Sequence, residues 1–461
     1  MSAARTAPRA AIVGAGLGGL TAAYRLRQAG WDVHVLESEP QLGGRTQTVA
    51  ERGYLADTGA TAIGAGYPEY LALAAELDLP VHPGPPEIGI YRDGRVRTLR
   101  MDRLLRSGVS DLLSLQARVR LVRLLVDVVA ATLRGRFDRI DMGRAAPLDT
   151  ESARDYCLRA LGDEVDAYLA DPVVELMELA DSDKVSKAVL LSGVTGILKG
   201  RLASLGGGQG HLAQVLAERI GGVELSTPAT RVREVDGGVE VAYVDPTGEE
   251  RIERFDAAVV ACPLPSAAAI CPDHRHVLGP LADHLRYNQS IVVSIGTTTP
   301  PESPVYAVQM PACEDREIAA LFVNSNKAPD RAPAGHGLLG VMWEQDGALA
   351  WMDRSDEEIV ERTMRTVLRV FPELRGTVDW THVQRWHRAL PLHDVGSFKR
   401  IRELNAAIDP RSRVQFTGDY RAMDGQNSAI ELGTRVAADL QRVVDRGPTR
   451  GSAPRPTAGA V

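Results

Sequence analysis

Lysine is scarce in this chain. Only five occur in 461 residues, Lys184, Lys187, Lys199, Lys327 and Lys399, and arginine carries the positive charge. Cysteine is scarce as well. Cys157, Cys262, Cys271 and Cys313 lie far apart with no C-x-x-C pair, which argues against a zinc ribbon or a disulfide framework and for a reducing compartment. The ten histidines show no metal-ligand spacing, so no metal is expected. No apolar run approaches the roughly 20 residues that cross a bilayer, and no signal peptide is expected, because the apolar run after the basic start reads as a strand. A net charge of −7 gives no reason to expect nucleic acid. These absences place the protein in the cytoplasm, with 44% hydrophobic and 25% charged residues to build an ordinary globular core.

What is present begins with glycine. An apolar strand, 10–13, runs directly into Gly14-Ala15-Gly16-Leu17-Gly18-Gly19. A helical pattern covers 20–29, Gly30 stops it, and a second strand, 33–36, ends on Glu37. Strand, G-x-G-x-x-G, helix, strand and acid, in that order, are the fingerprint of a dinucleotide-binding βαβ unit. Gly14 permits the tight turn, Gly16 lets a pyrophosphate approach the backbone, and Gly19 lets the helix lie close to the strand. Leu17 and Gly18 open a helix whose N–H groups and positive dipole end face the phosphates. Glu37 stands where a carboxylate accepts hydrogen bonds from ribose hydroxyls. A glycine loop without a ligand is the plainer reading, but it leaves the strand, helix and acid unexplained.

The next segment adds Gly43-Gly44-Arg45, whose guanidinium is expected beside the same pyrophosphate, where a planar fork suits paired phosphate contacts. A simple nicotinamide dehydrogenase has no need of this second clamp. Asp57-Thr58-Gly59-Ala60-Thr61 then reads as a turn bringing backbone N–H groups to a ring system. At these residues the chain resembles the flavin amine oxidase superfamily, which includes amine oxidases, protoporphyrinogen oxidases and phytoene desaturases. The G-x-G-x-x-G, L-G-G-R-x-x-T and D-x-G-A elements are shared marks of that group. The resemblance spans about 9–443. It implies an α/β protein: a Rossmann-like FAD-binding domain with a β-meander, interleaved with a mixed α+β substrate domain, and non-covalent FAD extended between them.

On this reading 1–79, 206–268 and 402–446 form the FAD domain, 80–205 and 269–401 the substrate domain, and 447–461 a disordered tail. A hairpin is expected over 88–99 and almost unbroken helix from 101 to 198. The strongest helical pattern, 112–133, sets Arg118, Arg120 and Arg123 among leucines and valines. It fits either a basic helix on a membrane surface or an arginine-decorated helix with its apolar face in the core. Asp127 and the short apolar run favour the core. Glu164, Asp171, Glu175 and Glu178 read as a solvated face or as contacts to a basic substrate. The glycine-rich 206–210 lacks the Lys-Ser/Thr of a P-loop and reads as the return to the FAD domain.

The resemblance also assigns roles. Val232, in the hairpin 229–243, matches a valine over the adenine edge. Asp419 matches an acid on the ribityl chain, and Ala429 and Ile430 open a helix facing the flavin N1–C2 edge. Trp386, in a W-x-x-A-x-P element, and Tyr420 are expected as aromatic walls of the substrate pocket. A small-molecule substrate gives hydride to flavin N5, and molecular oxygen or another acceptor takes the electrons. Typical amine oxidases carry a lysine on the strand matching 291–295. It is absent here, and no cysteine near Tyr420 offers covalent attachment. With the L-x-Y-x-x-S element at 285–290, this points to a dry pocket and oxidation of a C–C or C–N bond in a bulky, cyclic or polyene-like substrate. A specialised amine oxidase and a non-redox isomerase or scaffold stay open, as do a homodimer and peripheral membrane contact. His387 and His393 read as surface or loop histidines.

Overall fold

Four parallel strands from distant stretches of chain make the first sheet, in the order Val414–Phe416, Ala257–Val260, Arg9–Val13, Asp32–Leu36. Ala10, Ala11, Ile12 and 257–260 have no solvent exposure, as expected of parallel strands covered on both faces. The helix Leu17–Gln28 joins the first two strands, so strand, glycine turn, helix and strand do form a βαβ unit. The closing helix Gln426–Asp445 packs against it. A Cβ at Gly433 would lie 2.4 Å from the Gly18 carbonyl oxygen, so the close crossing requires glycine there. The computed structural model describes residues 7–445 except 65, 104–108, 139, 199 and 423–424, together with the backbone alone at 103 and 110. The expected disordered tail, 447–461, lies outside the described residues.

An antiparallel meander, Ala229–Val235, Gly238–Val244 and Glu250–Phe255, leads into the first sheet. A seven-stranded sheet forms the other half, in the order Val378–Trp386, Ser290–Thr297, Gly337–Trp343, Ile318–Val323, Ala307–Gln309, Glu87–Arg92, Arg95–Arg100. Side chains alternate across it. Ile291, Val293 and Ile295 go to one face, packed with Leu321, Val341 and the helix Asp356–Val370. Val292 and Ser294 go to the other, in register with Met342, His382 and Gln384. That second face also carries Trp386 and points toward the nucleotide-side turn. The strand expected to border a dry pocket therefore turns Ile291, Val293 and Ile295 away from that face and presents Val292 and Ser294 to it.

The excursion of hairpin and helices between the two sheets begins and ends at a paired ribbon, Val81–Pro83 with Ala203–Leu205. The predicted helix 112–133 is two helices, Val109–Leu112 and Leu115–Leu133, because Ser114 caps the second by accepting from the Ala117 N–H. Only Ala117, Leu124, Val128 and Ala131 of the longer helix are buried. Six large apolar residues on its opposite side are exposed, so the expectation of a single core-facing stripe is corrected. The acids of Asp171–Glu178 are corrected as well. Asp171, Glu175 and Glu178 are buried, not solvated.

Candidate active site

The site starts at the glycine turn. Gly14 sits at φ +106°, and a Cβ at Gly19 would fall 2.0 Å from the Gly14 carbonyl oxygen, so the turn closes only without side chains. Gly16 is different: a Cβ there meets nothing within 4 Å. Open space thus lies at the one glycine expected to meet a pyrophosphate. Gly16 also stands at the N-cap of Leu17–Gln28 with no side-chain cap, leaving that helix end without a competing acceptor. Glu37 braces the turn, its carboxylate accepting from the Ala15 N–H at 2.6 Å and the Glu39 N–H at 3.0 Å. Gly43 joins it as well, donating to the Ala15 carbonyl at 2.8 Å, and a Cβ at Gly44 would lie 3.3 Å from the Gly16 Cα. The combination of open backbone, helix end and ribose-height carboxylate fits a dinucleotide.

Arg45 lies at the junction of four distant segments. Its guanidinium ion-pairs with Asp419, donates to the Ala389 carbonyl at 3.0 Å and stands 5.8 Å from the centre of the Tyr287 ring. The Tyr287 hydroxyl donates to Asp419 at 3.0 Å, and burial keeps that phenol protonated. So two residues expected on different parts of FAD, Arg45 and Asp419, are brought directly together. Sequence reading passed over Tyr287 and Ala389, although both sit in motifs it had singled out. Those two motifs pair with each other: Asn288 donates to the Leu390 carbonyl and Ala389 to the Asn288 carbonyl, both at 2.7 Å.

The turn 57–61 carries the second wall. Ala60 donates to the Arg45 carbonyl at 2.9 Å, and Gly59 lies so near that a Cβ on it would be 2.0 Å from the same oxygen. Trp386 packs over Gly59, its indole N–H donating to the Thr58 carbonyl at 2.6 Å, and it remains half-buried. Thr61 meets Lys327, whose ammonium nitrogen reaches the Thr61 carbonyl at 3.0 Å and the Thr61 hydroxyl, beneath the rings of Tyr306 and Phe322. Lys327 is fully buried, and burial holds its amine well below the ordinary lysine range, against the pull of Asp57. An amine therefore does stand behind this turn, carried by Lys327 just past the short 3-10 helix Asn324–Asn326 and not by the strand at 291–295. Nothing local in the sequence marks it.

Other expected residues fall elsewhere. Tyr420 has no exposure and packs in a core cluster with Cys271 and Phe416, so it does not share the wall that Trp386 forms. The chain divides there: Asp419 reaches Arg45, while the adjacent ring goes into the core. Val232 is fully buried inside the meander. Ala429 and Ile430 begin the closing helix, the former with its carbonyl 3.4 Å from a Cβ built on Gly18. Asn427 caps the helix Pro68–Glu76 by accepting from the Glu69 and Tyr70 N–H groups, and Gln426 donates to the Ala62 carbonyl at 3.0 Å. His387 is exposed as expected. His393 is not: it is buried, with Nδ1 2.6 Å from a Glu178 carboxylate oxygen.

Comparison with known proteins agrees with this geometry. Residues 17–441 match the family described as flavin containing amine oxidoreductase. Coproporphyrinogen III oxidase of Bacillus subtilis is 23% identical over 488 aligned positions, spanning 93% of this chain and 97% of that protein. The structure of a putative protoporphyrinogen oxidase from Exiguobacterium sp. 255-15 superposes with a TM-score of 0.74 at 19% identity, covering 95% of this chain and all of the other. Cyclohexylamine oxidase from Brevibacterium oxydans gives 0.76 at 18% identity, over 96% of this chain and all of that one. The glycine turn, the uncapped helix behind it and a family match over nearly the whole chain agree: this protein belongs to the flavin-containing amine oxidoreductases, and its cofactor is FAD.

Proposed function

We propose that this FAD-dependent oxidoreductase removes hydride from a carbon of a bulky cyclic substrate of the porphyrinogen kind. The observation that carries the reading is the wall at Trp386. An indole locked to the Thr58 carbonyl borders a sheet face carrying Met342, Gln384 and His382, whose imidazole burial holds below its ordinary range. A broad, uncharged surface suits a flat macrocycle better than a small ammonium ion. The end-to-end likeness to a protein that acts, by name, on coproporphyrinogen III supports the same reading.

When bound, FAD supplies the two-electron acceptor, and oxygen or another acceptor takes the electrons onward. The chain's own residues bind, orient and exclude water. The helix end at Leu17 and the Arg45 guanidinium would offset diphosphate charge, and Glu37 would accept from ribose hydroxyls. Trp386 would orient the substrate face, and the sheet face beside it would help to exclude water. Val232, Asp419, Ala429 and Ile430 are assigned to the cofactor's length by the same resemblance.

A second reading, oxidation of a specialised amine, is favoured by one observation: the buried Lys327 amine, its pKa depressed by burial, stands directly behind Thr61. Anaerobic bleaching of the flavin separates the two. Porphyrinogens should bleach the wild type rapidly, and benzylamine or an aliphatic amine only slowly. Trp386→Ala should keep its flavin yet be reduced at least ~10-fold more slowly, the loss expected when a positioning wall is removed. Rapid bleaching by simple amines, with the Trp386 variant unaffected, overturns the proposal in favour of the amine. No bleaching by any of these substrates points to a non-redox role.

A further inference from the structure

The helix Leu115–Leu133 is apolar on two opposite sides. Ala117, Leu124, Val128 and Ala131 face the core. Leu115, Val119, Val122, Val126, Val129 and Leu133 face outward at 54–83% exposure. Single exposed apolar side chains are ordinary, but six of the thirteen exposed large apolar residues among those described stand in line on this one helix. They recur in steps of four, three, four, three and four, which is the narrow a/d seam of a coiled coil and not the broad apolar face of a helix lying in lipid.

The order of the seam is its own reverse about Leu124. Turned end for end, Leu115 meets Leu133, Val119 meets Val129 and Val122 meets Val126. A two-fold axis requires such a self-complementary patch. Opposite charges on one flank also approach each other under this reversal. Arg120, Arg123 and Asp127 follow one another there, and reversal sets each Asp127 between the Arg120 and Arg123 positions of the opposite helix. Within its own chain Asp127 already holds Arg123 at 2.9 Å and accepts from the Tyr156 hydroxyl at 2.8 Å, so the carboxylate is fixed on that flank. We propose that the chain forms a two-fold homodimer in which the helices Leu115–Leu133 of two copies pack antiparallel along this seam.

Sedimentation of the full-length, FAD-loaded protein at micromolar concentration tests it. The wild type should run at twice the chain mass. Val122→Arg/Val126→Arg should run at one chain mass, with flavin content per chain, melting temperature and turnover unchanged. In a Cys313→Ser background, Leu115→Cys/Leu133→Cys should cross-link between chains on mild oxidation. Leu115→Cys alone should not, because an antiparallel pair holds the two copies of position 115 about 27 Å apart at 1.5 Å per residue. A wild-type monomer that floats with phosphatidylglycerol vesicles, and loses that binding in the double-arginine variant, overturns self-pairing in favour of anionic lipid. A monomer that binds no vesicles, or a dimer indifferent to the two arginines, also overturns it.

Discussion

Arg45 and Lys327 show how far a single side chain can be read in advance. Arg45 was identifiable because a glycine pair followed by arginine, a few residues past the ribose acid, has one obvious anionic neighbour. Its partners Asp419, Tyr287 and Ala389 come from far along the chain, and only folding brings them within reach. If the guanidinium also meets the pyrophosphate, Arg45→Ala loses a charge-assisted contact of roughly 1.5–3 kcal/mol. FAD affinity should then fall about 10- to 100-fold, with Arg45→Lys recovering part. Titration of the apoprotein measures this, and acid precipitation of the wild type should leave all flavin in the supernatant. An unchanged dissociation constant places Arg45 outside the cofactor site. Lys327 carries a different signature. Burial depresses its folded pKa, so the unfolded chain takes up a proton that the folded chain does not. Wherever the unfolded state binds more protons, stability rises with pH. The destabilisation is therefore largest at low pH and fades as pH climbs toward the ordinary lysine value. Lys327→Met should be more stable than the wild type near pH 7 in urea unfolding, with the gap narrowing by pH 9. A gap that does not change with pH refutes the depressed lysine pKa.

At the level of elements, periodicity was a good guide to where helices and strands lie and a poor guide to which faces they bury. The helix Asp171–Glu178 was expected to show its acids to solvent. Instead Asp171 and Glu175 turn inward with Glu344, which caps the helix Gln345–Trp351 from the end of a neighbouring strand. Burial, reinforced by Asp181, raises the Glu344 carboxyl to about 7 and that of Asp171 to about 6. A folded pKa above the unfolded value means stabilisation that is complete below the ordinary carboxylate range and is lost as pH rises through the folded value. Unfolding free energy should accordingly decline between about pH 4 and 7. Glu344→Gln keeps an oxygen for the cap while removing the charge. It should flatten that decline and be more stable at pH 8 by about 1–3 kcal/mol. A variant with the wild-type pH slope would show that the carboxyl ionises freely. The seam on Leu115–Leu133 teaches the same lesson. Its heptad spacing is written in the sequence, but nothing there says that the core uses the other side.

In the whole molecule, the two halves are pinned by a buried ion pair. Asp57, at the end of the strand before the 58–61 turn, meets Arg331 at 3.0 Å, with both side chains essentially without exposure. Asp57 also accepts from Thr48 Oγ1 at 2.7 Å and from the Gln209 N–H at 2.8 Å. One carboxylate thus ties the flavin-side turn, the glycine-rich return loop and the segment after the strand Ile318–Val323. Arg331→Leu leaves that charge buried without its cation. It should cost about 3–5 kcal/mol of stability, read as a fall in the urea midpoint, with weaker flavin retention. A midpoint within error of wild type would mean the pair is dispensable.

The sequence by itself determined the βαβ unit, the glycine turn, Glu37 and the family, because each depends on residues close in the chain whose spacing is set by local geometry. It also located the motifs at 285–290 and 386–391. The tertiary structure decided what each motif touches. It set Trp386 against Gly59 and Arg45 against Asp419, sent Tyr420 into the core and the apolar side of Ser290–Thr297 away from the site, and brought Lys327 behind Thr61 from 266 positions along the chain. Each of these contacts joins residues far apart in sequence. Which partners meet follows from how sheets and helices pack as whole layers, and no local spacing encodes that choice.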